Sequence, residues 1–238
     1  GARILQLLTA VSASSVQAAI TRYPTAAPSI PQQIQQTLTP EDETAADLFN
    51  AALILCADHE LNISSFTARC VASAGSTPYA VVIAGLSALQ GPKHGGYTER
   101  VEALFQEATT PENAASTIAS RLRRGEEIPG FGHPLYPEGD PRGAALLQMV
   151  ETAHPDAAGM RLARELETAV THSIGLKPNI DFGLVTLARA LNLPPDSALA
   201  LFALGRIVGW IGHAIEQYQL DQLIRPRARY NGSQPFNR

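Results

Sequence analysis

The chain reads as a succession of amphipathic stripes with apolar residues three and four positions apart. Between residues 43 and 57, Ala45, Leu48, Phe49, Ala52, Leu53 and Cys56 fall on one face of a helix. Thr110-Pro111-Glu112-Asn113 carries the marks of a helix start: a capping hydroxyl, a first-turn proline and an acid near the positive end of the dipole. Gly125 is placed to close that helix. The same periodicity predicts helices over 65–90, 143–152, 156–173, 181–192 and 196–219. At the N-terminus, Ile4, Leu7, Leu8 and Val11 share a helical face behind Arg3, which reads as an internal helix of a longer protein and not as a signal peptide. The Pro/Thr/Gln-rich stretch 23–40 is expected to be a surface crossover or linker. No segment alternates apolar and polar residues with a period of two, so the predicted fold class is all-α.

Composition narrows this picture. With 238 residues and 45% hydrophobic side chains the chain can bury a substantial core, and disorder is excluded. Charged residues make up only 17%, below the roughly 25% usual for soluble domains, which predicts a surface partly covered by a partner subunit. A net charge of −4 supplies no electrostatic reason to bind nucleic acid. The most apolar stretch, 198–215, is interrupted by Arg206 and His213, so no membrane span is expected. Cys56 and Cys70 sit in apolar helical contexts and read as core thiols of a reducing, cytoplasmic compartment.

The candidate chemistry lies in loops dense in glycine, proline and histidine: 91–96 (GPKHGG), 128–142 (IPGFGHPLYPEGDPR) and 176–181 (LKPNID). His59 ends an apolar helix, His94 precedes a glycine pair, and His133 follows Gly130-Phe131-Gly132. Glycines beside the latter two allow a ligand to approach the backbone. His213, near Trp210, is a fourth conspicuous histidine, whereas His154 and His172 read as helix-end or surface residues. The first three histidines lie 35 and 39 residues apart with neither HExxH nor CxxC, so a zinc site is disfavoured and no metal is expected. No GxSxG elbow is present for a serine nucleophile.

Arg206 interrupts a helix that is apolar on nearly every side, and a guanidinium cannot shed its proton. Its burial therefore calls for an anion, supplied by a structural salt bridge or by a ligand. Arg142 and Arg225 sit in loops where a guanidinium fork could meet a carboxylate. Three arginines and three histidines together describe a site for a small polycarboxylate. Asp181, at a predicted helix start, is either an N-cap or a general base.

ADHELNISSFTAR, GPKHGG, IPGFGHPLYPEGDPR, KPNIDF, FALGRIVGWIGH and IRPRARYNG, in that order across residues 43–232, resemble the citrate synthase family. The resemblance implies an all-α homodimer of two domains, the large one from 1–96 and 197–238 and the small one from 97–196, with the active site in the cleft between them. It implies a chain lacking the N-terminal part of the large domain. It also implies condensation of acetyl-CoA with oxaloacetate to citrate, with CoA as cosubstrate and no tightly bound cofactor. On this pattern Asp181 matches the base, His94 the residue stabilising the enol, and His133 the donor to the ketone. His59, Arg142, Arg206 and Arg225 match ligands of the keto acid, with Arg225 reaching in from the other subunit, and Phe202 packs on the substrate. The backbone of Pro129, Gly130, Phe131 and Gly132 falls where the family contacts CoA. Lys93, Pro134 and Gly183-Leu184 depart from the family pattern but leave that set intact. Close alternatives are a 2-methylcitrate synthase and a citryl-CoA lyase. A different class is a non-catalytic domain that senses citrate or CoA.

Overall fold

Capping side chains and helix-breaking residues divide the chain into helices in the computed structural model, which describes residues 28–232. These are α1 (Ile30–Leu38), α2 (Ala45–Cys56), α3 (Ile63–Ser73), α4 (Pro78–Leu89) and α5 (Tyr97–Ala108). A 3₁₀ turn at Pro111–Asn113 leads into α6 (Ala114–Arg123), followed by α7 (Pro141–Ala153), α8 (Ala158–Ile174), α9 (Ile180–Ala190) and α10 (Ser197–Leu220). Among the described residues the only β pairing is a single bridge between Phe131 and Pro178, so the all-α expectation holds.

Three local readings need correction. The stretch 23–40 is not simply a linker, because α1 forms within it, with Pro31 in its first turn and the Ser29 N–H donating to Gln32 Oε1 at 2.8 Å. The run 65–90 is two helices. Gly75 takes φ +75°, and Thr77 caps α4 with Pro78 as its first residue, so the chain stops and restarts between them. Helix α5 lies in a stretch for which the pattern predicts none, although Val101, Leu104, Phe105 and Ala108 are buried along one stripe. Gly125 does close α6, at φ +70°. The N-terminal stripe at residues 4–11 lies outside the described residues.

Helix α10 is the axis of one half of the molecule and packs against α2, α3 and α4. By length and composition it could cross a bilayer, but 56% of its most apolar window is buried inside the fold. Its small residues let other backbones come close. A Cβ on Gly205 would lie 2.7 Å from the Leu53 carbonyl, one on Gly209 would collide with the Ala57 carbonyl, and Gly85 of α4 opposes the Trp210 ring. The C-terminal end of α2 is thereby pressed onto the middle of α10. In the other half, α9 is buried along most of its length and packs against α5, α7 and α8. Asp140 ties this half together. It caps α7 through the Arg142 N–H and also accepts the Ile180 N–H that begins α9, at 3.0 and 3.1 Å.

Candidate active site

The ends of these helices converge on one cleft. A cavity of about 330 Å³ is lined by His59, Asn62, Lys93, His94, Gly132, His133, Arg142, Asp181, Phe202 and Arg206, among others. A larger cavity, about 630 Å³, lies between α5 and the 192–199 connection and contains none of the candidate residues. Of the polar candidates only Arg225 is absent from the cleft wall. It sits exposed on the extended tail after α10, where the Ile224 N–H donates to Ser73 Oγ at 3.1 Å.

Asp181 is the second residue of α9 but not its cap. Asn179 takes that role, accepting the Asp181 and Phe182 N–H groups. The Asp181 carboxyl is therefore left to the cleft. Burial pushes its pKa up to about 7, against the opposing pull of Arg142. A carboxyl poised near neutrality is suited to taking a proton and giving it back.

Arg206 is 1% exposed. Its Nε–H donates to the Cys56 carbonyl at 2.7 Å, and its guanidinium carbon lies 5.0 Å from the centre of the Phe202 ring. Among the described residues it forms no ion pair, so the structural salt-bridge alternative fails and the charge is offered to the cleft. Arg142 is held differently, by both oxygens of Asp140 at 3.0 and 2.8 Å. Burial alone would raise the Asp140 carboxyl, but hydrogen bonds from Arg142 and Ile180 outweigh it and keep the group below the usual carboxylate range.

The cleft histidines are held in the neutral form. Burial, reinforced by Arg206, lowers the His94 pKa to about 4. His94 Nε2 is 2.7 Å from Ser64 Oγ, which also receives the Trp210 Nε1–H at 3.1 Å. When the Ser64 hydroxyl donates its hydrogen bond to Nε2, the one proton of neutral His94 resides on Nδ1 and is free for a ligand. The Ser64 hydroxyl has a second acceptor in reach, Asn62 Oδ1 at 2.9 Å, which also caps α3 by accepting the Ser65 N–H. His133 Nδ1 accepts the Leu135 N–H at 3.2 Å, which puts its proton on Nε2. Burial and then Arg142 depress the pKa of both His133 and His59. Cys56 is no nucleophile, since burial raises its thiol to about 12.

The glycine loop is mostly scaffold. Gly130 and Gly132 take φ +87° and +74°, a conformation that puts the loop in register with the start of α9. The Gly132 N–H donates to the Lys177 carbonyl and the Asn179 N–H to that of Gly130, at 2.8 and 2.9 Å. Pro129, Gly130 and Phe131 are buried, with the Phe131 ring packed at a tilt against Phe182, and only Gly132 of the four lines the cleft. His213 takes no part in the cleft, being held between Arg69 and Asp58. Ser64, Trp210, Tyr136 and Asp140 are site residues that sequence reasoning does not find. Asp140 alone had a local signal, as an acid one proline ahead of Arg142.

A sequence profile described as "Citrate synthase, C-terminal domain" matches residues 2–227. The chain belongs to the citrate synthase family. It is 38% identical over 208 residues to citrate synthase 2 of Bacillus subtilis, covering 85% of this chain and 56% of that protein. It is 35% identical to 2-methylcitrate synthase 1 of Corynebacterium glutamicum, covering 77% of this chain and 49% of the other. The crystal structure of citrate synthase from Thermotoga maritima superposes with a TM-score of 0.81 at 30% identity, over 99% of this chain and 67% of that one. The chain thus spans about half the length of the curated relatives it matches.

Proposed function

We propose that this protein catalyses a citrate synthase-type condensation, in which the methyl carbon of acetyl-CoA attacks the ketone of oxaloacetate and hydrolysis then releases citrate and CoA. The observation that carries the proposal is the company Arg206 keeps. A buried guanidinium with no ion pair among the described residues shares one cleft with Arg142, three neutral histidines and a carboxyl poised near pH 7. Arg206 and Arg142 suit the carboxylates of a dicarboxylic keto acid, with His133 Nε2–H and His59 as further donors. Asp181 removes the methyl proton. His94 Nδ1–H meets the thioester oxygen as charge builds there, and one such fixed donor is worth roughly 10²–10³ in rate. His133 polarises the ketone. A neutral imidazole serves both roles, since the developing oxyanion needs a donor and not a second acid. The opposite reading, a ligand sensor without chemistry, has no use for a carboxyl tuned to neutrality beside two oriented donors.

The working unit in this proposal is a homodimer. Ile63 and Phe66 of α3 and Tyr79 and Ile83 of α4 are exposed apolar side chains that a second subunit would cover, in keeping with the 17% charge content. Arg225, outside its own cleft, would then complete that of the partner. The test is release of CoA thiol by the intact protein with acetyl-CoA or propionyl-CoA plus oxaloacetate, and separately with citryl-CoA. Fastest turnover of acetyl-CoA supports the proposal. Preference for propionyl-CoA assigns 2-methylcitrate synthesis, and cleavage of citryl-CoA to acetyl-CoA assigns the lyase reaction. No turnover of any of the three refutes catalysis.

A further inference from the structure

Tyr136 lies on the loop between α6 and α7 and touches three residues of the cleft. Its hydroxyl is 2.9 Å from His59 Nε2. Its ring lies 5.0 Å from that of His133, and the Arg142 guanidinium carbon sits 5.6 Å from its centre. The two histidines differ in how their protons are placed. In His133 a backbone N–H occupies Nδ1 and dictates the tautomer. Among the described residues the His59 side chain has no backbone hydrogen-bond partner; the His133 ring packs edge-on against it at 5.3 Å, and its hydrogen-bond partner is the Tyr136 hydroxyl.

Burial and the nearby Arg142 keep His59 neutral at pH 7, so its ring carries one proton. If that proton sits on Nε2 it is spent on the tyrosine oxygen, and Nδ1 offers a lone pair to whatever enters. A lone pair facing the anion that Arg142 and Arg206 attract is repulsive. If Tyr136 donates instead, Nε2 accepts and Nδ1–H becomes a donor to that anion. We infer that Tyr136 is a positioning residue whose hydroxyl donates to His59 Nε2, fixing the His59 proton on Nδ1 for an anionic keto acid. The inference rests on the proposed oxaloacetate site.

Tyr136→Phe removes the hydroxyl and keeps the ring that packs on His133 and Arg142. In intact protein labelled with ¹⁵N-histidine, long-range ¹H–¹⁵N couplings report each tautomer, with His59 assigned from a His59→Gln spectrum. The wild type should show His59 as Nδ1–H and His133 as Nε2–H. The variant should lose the His59 preference and leave His133 unchanged. Oxaloacetate affinity, measured by calorimetry, should fall about tenfold, the loss of one good hydrogen bond, and kcat should stay within about twofold. A purely structural role would shift stability or both histidines together. An Nε2–H tautomer in the wild type, an unchanged tautomer in the variant, or unchanged oxaloacetate affinity overturns the inference. If oxaloacetate binds as expected but no acyl-CoA turns over, the synthase reading fails and this one stands. If the wild type does not bind oxaloacetate, both fail.

Discussion

Asp181→Asn separates what the carboxyl contributes to chemistry from what it costs the fold. Its pKa of about 7, against an ordinary value of 3.8, means that the folded state holds a proton the unfolded chain releases. The sign follows from linkage. A carboxyl raised in the folded state costs nothing below pH 4 and progressively destabilises the fold between pH 4 and 7. Three pH units at about 1.36 kcal/mol each give a full cost of about 4 kcal/mol above pH 8. An asparagine of the same size has no charge to desolvate, so the variant escapes this term. Urea unfolding of both proteins in the intact form measures it. The variant's advantage in unfolding free energy should be about 3 kcal/mol larger at about pH 8 than at about pH 4.5. Comparing two pH values cancels any pH-independent change in hydrogen bonding. The same substitution should abolish carbon–carbon bond formation, a loss of at least ~10²–10⁴, while oxaloacetate binding stays within a few-fold. In the wild type, kcat/KM should rise as pH passes through about 7 on the acid side, since the base acts as the carboxylate. A pH-independent stability difference would refute the desolvated carboxyl, and near-normal turnover by the variant would remove Asp181 as the base.

Other substitutions test other parts of the cleft. Arg206→Leu should fold, because an aliphatic chain suits its apolar helix, yet lose ~2–5 kcal/mol of oxaloacetate affinity by calorimetry. Normal binding by a protein that unfolds easily would make Arg206 purely structural. Gly209→Ala places a methyl against the Ala57 carbonyl and about 3.2 Å from Asp58 Oδ1. It should lower stability by ~1–3 kcal/mol and raise the KM for the keto acid by displacing the turn that carries His59, as read by thermal unfolding and kinetics. Mixing inactive dimers that carry Arg225→Ala and Asp181→Asn should restore activity on subunit exchange, because one of the two sites then lacks both defects. Verified mixed dimers that stay inactive would place Arg225 outside any shared site.

The residues legible in the sequence were those whose surroundings contradict their chemistry. Arg206 stands out because no guanidinium belongs in a helix of Leu, Ile, Phe and Trp, and the cleft explains it. Asp181 stands at a visible helix start, but the cap lies two residues earlier at Asn179, and local sequence alone does not distinguish a cap from a base there. Helix α5 went unseen because Thr98, Glu99, Arg100 and Glu102 dilute its stripe, and the stripe of Val101, Leu104 and Phe105 emerges only once α9 packs on it. The break between α3 and α4 was written in Gly75 and Thr77-Pro78, but continuous hydrophobicity on either side concealed it. Ser64, Trp210 and Tyr136 left no sequence signal. Their hydrogen bonds join residues 30 to 146 positions apart, and no local spacing encodes a tertiary contact of that kind.

The grip of Arg206 on the last carbonyl of α2 also governs which changes of length this protein can tolerate. The Cys56 carbonyl and His59 hang from the same helix end, three residues apart. Each residue of an α-helix turns the chain by about 100°. Inserting or deleting one position within 45–56 would swing both groups around the helix axis at once, detaching the guanidinium from its carbonyl and turning the imidazole out of the cleft. Exposed loops remote from the cleft carry no such constraint. Among descendants of this sequence, length variation should therefore collect in those loops, while α2 remains at twelve residues even where nearly every side chain on its exposed face has been replaced.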